Sequence, residues 1–142
     1  MNQLTKKSKR LDPIIDDRKD VFDDENRKLS EIRSRKLRAI AEMKQAQRDY
    51  VSGVERLNNE RGTSDRLLLH ALETGLDSVK QKWMDFYQVV LNCEREEQLQ
   101  LEAVGRAYKD LEAIRHLKGK YEVEITKETN RREQKSLDEL AL

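Results

Sequence analysis

Between Leu69 and Ile125, apolar residues return every seventh position on two interleaved tracks. The first track reads Leu69, Leu76, Trp83, Val90, Glu97, Val104, Leu111, Lys118, Ile125, and the second Leu72, Val79, Phe86, Cys93, Gln100, Ala107, Ile114, Tyr121. Alternating steps of three and four put both tracks on one narrow stripe of an α-helix, the seam of a coiled coil. A stripe this narrow encloses no ligand pocket. It lies against another helix, so the expectation is a rod that works through its surfaces.

Composition agrees. Of 142 residues, 40% are charged and 36% hydrophobic, with one Pro and five Gly. Globular averages are about 25% charged and about 45–50% apolar. Disorder is the competing source of such charge, but sustained heptads and a net charge of only +1 oppose it in the central region. Near-neutrality also argues against nucleic acid as the main partner. The charge is segregated: residues 1–10 carry four Lys/Arg and no acid, 12–25 seven acids against two bases, and 27–56 nine bases against four acids. Such blocks read first as solvated, internally paired helix faces.

The organisation follows from breakers and caps. Residues 1–11 are expected as a flexible basic arm. Asp12-Pro13 reads as a helix start, with Asp able to cap free amides and Pro suited to the first helical position. Helix one is predicted over 13–57, on a track of Phe22, Leu29, Lys36, Met43, Tyr50, Leu57 and a second of Ile32, Ala39, Ala46, Gly53. Its small residues leave room for large ones opposite. Residues 58–65 are the turn, with Gly62 expected at positive φ and Thr63, Ser64 or Asp65 as the next cap. Helix two is predicted over 66–137. A short connection between long amphipathic helices forces them antiparallel. The fold class is therefore all-α, a single antiparallel coiled-coil hairpin with the longer helix second. At ~1.5 Å per residue the arms would span roughly 68 and 105 Å. With the turn near Gly62, Pro13 falls opposite about Leu111, leaving Ile114, Tyr121 and Ile125 on an unpaired overhang.

The same chain offers little for catalysis. His70 and His116 are 46 residues apart and have no ligand-spaced neighbours, and Cys93 is the only cysteine and sits on the seam. No phosphate loop, nucleophile elbow or Cys–His pairing stands out. Carboxylates on a two-helix rod face solvent and lack the desolvation that tunes an acid or base. The reading is a non-enzyme without cofactor or metal, cytoplasmic, with no secretory leader and no membrane insertion. Aromatic and apolar residues gather beside the turn instead. Leu67, Leu68 and Leu69 cannot all face one helix, and Trp83 and Tyr87 exceed what a two-helix seam usually hides.

The run Asn130-Arg131-Arg132-Glu133-Gln134-Lys135-Ser136-Leu137-Asp138-Glu139-Leu140-Ala141 resembles the tail of the FliJ family and of the related YscO (SctO) proteins. Similar length, a hairpin with both termini at one end and the turn sequence Thr63 to Arg66 add to the likeness. The resemblance implies a central stalk protein of flagellar or type III export, one end set in a hexameric export ATPase. The other end would meet the cytoplasmic domain of the export-gate membrane protein. Some members also bind substrate-escort chaperones or the needle-length regulator. Carried onto this chain, it offers Arg131, Gln134, Lys135, Asp138 and Glu139 for the ATPase, and Met43, Tyr50, Leu72, Leu76, Val79 and Trp83 for the gate. Ala46 departs from an aromatic in the flagellar relative, and Trp83 from a histidine. The expected protein is a monomer, peripheral to the inner-membrane export apparatus, with the needle-bearing system preferred over the flagellar one. Two rivals stand beside it: a generic coiled-coil scaffold that dimerises through its seam, and an RNA-binding helical arm drawn from the bases of 27–56.

Overall fold

The structure, a computed structural model, describes residues 3–141. Three helices follow one another: α1 (Gln3–Arg10), α2 (Asp12–Glu60) and α3 (Arg66–Ala141), and no strand occurs among the described residues. The fold is the expected all-α antiparallel hairpin, with the second long helix the longer. Every residue named on the four tracks is buried or half-buried, so the heptads mark the true seam. The chain divides into two compact units, Met1–Arg27 with Leu101–Leu142 and, separately, Lys28–Gln100.

In the first unit, Lys118 Nζ donates to Asp12 Oδ1 at 2.6 Å, and the Phe22 and Tyr108 rings pack with centroids 5.8 Å apart. Ten residues forward on α2 is thus ten residues back on α3, an antiparallel register. Pro13 lies level with the neighbourhood of Lys118, nearly a heptad beyond Leu111, where the sequence placed it. The difference lies in the turn, since the Asp12–Lys118 and Phe22–Tyr108 pairs are both centred near residue 65 rather than on Gly62. The first residues, expected as a loose arm, differ as well. Gln3–Arg10 is helical, with Ser8 buried and Leu4, Leu11 and Ile15 half-buried. Their steps of four, three and four continue the stripe of α2. Ile114, Tyr121 and Ile125 are accordingly half-buried rather than bare. Leu111, at 2% exposure, is the most deeply buried large side chain. The helix is interrupted only at Leu11, whose N–H bonds Ser8 O at 3.2 Å, because Pro13 has no N–H to offer the turn before it. Asp12, read as a cap, spends its carboxylate on Lys118.

In the second unit, Leu29, Ile32, Ala39, Ala46 and Leu57 of α2 and Val90 and Cys93 of α3 form the core. The predicted fit of small against large holds at Gly53. A Cβ there would come within 2.9 Å of Leu76 Cδ1, so glycine allows a close approach. Tyr50 and Trp83 pack ring against ring at 5.7 Å. One polar layer interrupts the seam: Lys36 Nζ and Arg33 Nε both donate to Glu97, each at 3.2 Å. A charged pair on a coiled-coil seam favours the one alignment in which its members meet.

The connection is residues 61–65. Thr63 N–H closes onto Glu60 O at 2.9 Å, Asp65 N–H reaches Thr63 Oγ1 at 3.3 Å, and Leu68 N–H reaches Asp65 Oδ1 at 3.1 Å. Asp65 is therefore the cap of α3. Gly62 does not adopt positive φ, contrary to expectation, because the turn closes through Thr63 and Asp65 instead.

The glycines inside α3 offer a test of this packing. A Cβ added at Gly75, Gly105 or Gly119 meets nothing within 4 Å. Alanine there keeps the fold and restores helix propensity, worth roughly 0.8–1 kcal/mol each. The triple variant is expected to gain about 2–3 kcal/mol, read as a shifted urea midpoint with an unchanged slope.

Candidate partner-binding surfaces

The seam stops being apolar after Ile125. Its next positions are the polar Glu128, Arg132, Lys135 and Glu139. In the register that sets Asp12 on Lys118, residues 129–141 lie past the level of Gln3, and all are exposed, a helical tail held by its own short-range bonds. Arg132 bridges to Glu128 at 2.8 Å and Gln134 donates to Asp138 at 3.1 Å, both one turn apart. Such pairs contribute only a few tenths of a kcal/mol each. Of the residues drawn from the tail motif, Gln134 and Asp138 are thus engaged with one another, while Arg131, Lys135 and Glu139 point their charges to solvent. Leu137 and Leu140 stand 61% and 84% exposed among them. Both leucines lie off the seam tracks, where heptad spacing gives them no role. Their signal was the isolated i, i+3 pair in a polar run.

The residues drawn for the gate are gathered differently. Met43, Tyr50, Leu72, Leu76, Val79 and Trp83 are all half-buried seam positions. The structure brings Tyr50 onto Trp83 and Leu76 against Gly53, so each side chain has one edge in the seam and one in solvent. Beside them, Leu67 is 84% exposed, and Trp83 lines an open groove with Lys80, Met84 and Tyr87.

Electrostatics sharpens the layer at Glu97. The hydrogen bond from Lys36 holds its carboxyl below the usual carboxylate range, against some desolvation and with help from Arg33. In the first unit, Asp12 raises the Lys118 ammonium above the usual lysine range in the same way. The stabilisation from Glu97 is therefore complete above the unfolded carboxylate value of about 4.3 and disappears as pH falls through the lowered folded value. That from Lys118 is complete below about 10.4 and is lost as pH rises through the raised one. Melting curves of the parent and Glu97→Gln should differ by a constant amount above about pH 6 and converge in acid, below about pH 4.

Among the described residues, no group of His, Cys, Asp and Glu could hold a metal ion, and no helix is long and apolar enough to cross a membrane. No curated protein and no solved structure matches the chain. A family model does: the one described as "Flagellar FliJ protein" matches residues 7–142. That span takes in both long helices and the motif-bearing tail. The chain belongs to the FliJ family, non-catalytic components of the flagellar export apparatus.

Proposed function

We propose that this protein is a stalk or adaptor of a type III protein export apparatus, acting in the cytoplasm at the inner-membrane machinery without catalysing a reaction. Its tail docks on the hexameric export ATPase, and the turn-proximal residues of the second unit meet the cytoplasmic domain of the export gate. Secretion chaperones or a length regulator are further partners on this reading. The observation that carries it is the family match across 7–142 together with a tail whose motif residues leave the seam and face solvent.

The physical case is one of division of labour. Residues 129–141 lie beyond the level of α2 and leave Arg131, Lys135, Glu139, Leu137 and Leu140 exposed for a partner. A helix that is bare on every side gains its stability from docking rather than from propensity. The mixed charges of the tail make that contact partly electrostatic, so added salt weakens it. At the gate surface, the exposed edges of Tyr50 and Trp83 supply rigid aromatic area of the kind that dominates interface energetics. The matching family is described by its flagellar member, so the preference for a needle-bearing system draws no support from it.

The test is direct binding. Immobilised full-length protein is expected to retain both the purified export ATPase and the purified cytoplasmic gate domain, and to release the ATPase first as salt rises. Retention of neither would remove the proposal.

A further inference from the structure

In the first unit, one flank of the seam keeps apolar side chains that the hairpin itself does not cover. Ile14, Val21 and Leu117 each stand one place before a seam residue, namely Ile15, Phe22 and Lys118. Antiparallel pairing brings such positions to the same side of the seam. Ile14 falls level with Leu117 in the register that sets Asp12 on Lys118. The three are 41%, 43% and 37% exposed. Three places after each of them comes the next residue outward on this flank, Asp17, Asp24 and Lys120.

The charges on the flank are ordered along the helices. On α3 it reads Arg106, Asp110, Ala113, Leu117, Lys120, Glu124. Laid against its own reverse, that strip meets itself with opposite sign: Arg106 on Glu124, Asp110 on Lys120 and Ala113 on Leu117, all centred at position 115. The other arm reads Lys7, Arg10, Ile14, Asp17, Val21, Asp24. Reversed in the same way, it sets Lys7 on Asp24, Arg10 on Val21 and Ile14 on Asp17, centred between positions 15 and 16. The two centres share one level, because Asp12 with Lys118 and Phe22 with Tyr108 put position 15 opposite position 115. One two-fold axis across the hairpin therefore serves both arms. Lys127, the next cation on the strip, falls on Ala103, so no like charges face one another. All the charged residues of the flank are exposed, and among the described residues only Asp24 has an ion pair, with Arg27 at 2.7 Å.

We propose that this flank is a contact between two copies of the chain, laid antiparallel about a two-fold axis near the level of Ile14 and Leu117. A second copy is the occupant because the flank supplies its own complement, each cation meeting an anion or an apolar residue. A partner of a single charge sign would be repelled along part of either arm. Copies laid parallel would set every charge on itself. The seam takes no part, since it is closed within one hairpin, so this pairing differs from an exchange of arms. From Lys7 to Asp24 the strip runs ~26 Å at ~1.5 Å per residue. A contact of that length belongs at the small end of specific interfaces, so monomer and dimer stand in equilibrium. The inference needs neither the ATPase contact nor the gate contact.

Sedimentation velocity of the full-length protein over a concentration series provides the test. At low salt a dimer is expected to grow with concentration, and added salt should return it towards monomer. Lys120→Glu, and separately Asp110→Lys, each bring like charges together at two symmetric points. Either is expected to weaken the dimer roughly tenfold or more, with the far-ultraviolet helix signal unchanged. An equimolar mixture of the two variants restores opposite charges at both points and should pair as the parent does. A protein that stays monomeric at every concentration, a dimer that neither substitution weakens, or a mixture that fails to pair would overturn the proposal.

Discussion

Replacing Leu111 by Ala is expected to cost about 2–4 kcal/mol, the largest effect of any single truncation along the hairpin. Leu111 is 2% exposed, and Ala107, one turn back on the same stripe, is also buried. The Phe22–Tyr108 ring pair sits within a turn of it. Removing the side chain therefore forfeits both its burial and the contacts of the walls that cannot close over the gap. The same chemistry on the same helix should do nothing at Leu140, which is 84% exposed. A change there belongs among surface substitutions, within about 0.5 kcal/mol. Urea unfolding of the two variants reads the contrast. A comparable loss at both sites would mean that the tail is packed after all.

Trp83 is the second large case, and it separates packing from recognition. It is half-buried, with its ring against Tyr50 at 5.7 Å. Full truncation of a core aromatic costs about 3–5 kcal/mol, so a half-buried one at the helix pair should cost about 2. Tyr50→Ala and Trp83→Ala should be coupled, by about 0.5–1.5 kcal/mol in a double-mutant cycle. If the outer edge of Trp83 meets the gate domain, Trp83→Ala lowers that affinity by roughly tenfold or more, whereas Tyr87→Ser, off the seam, leaves stability unchanged. Loss of stability with gate affinity intact would confine Trp83 to a structural role.

Much of this fold is written in the residue spacing. The tracks from Leu69 to Ile125 and from Phe22 to Leu57 are the seam without exception, because only a buried stripe selects for apolar residues at steps of three and four. Register was less legible. A heptad pattern slides by one repeat at little cost in matched positions, and a turn placed on Gly62 rather than on the Asp65 cap shifts every opposed pair. What fixes alignment is side-chain chemistry at single levels, Lys36 and Arg33 with Glu97 in one unit and Asp12 with Lys118 in the other. In the sequence these appear only as polar residues on an apolar track. The helix at Gln3–Arg10 was hidden for a related reason: its lysines dominate the composition, while Leu4, Ser8 and Leu11 carry the stripe.

The candidate surfaces were legible in the sequence to different degrees. The tail motif could be read because its residue order is distinctive, and the structure adds that all of it faces solvent. The gate candidates coincide with seam positions, so periodicity alone assigns them to packing. Only their fractional burial shows the free edge.

The most direct measurement of the account is titration of the export ATPase hexamer and the cytoplasmic gate domain with full-length protein and with a chain ending at Glu128. The shortened chain should lose ATPase association while its melting temperature and gate-domain binding stay as they were. ATPase binding unchanged by removal of 129–142 would contradict the role given to the tail.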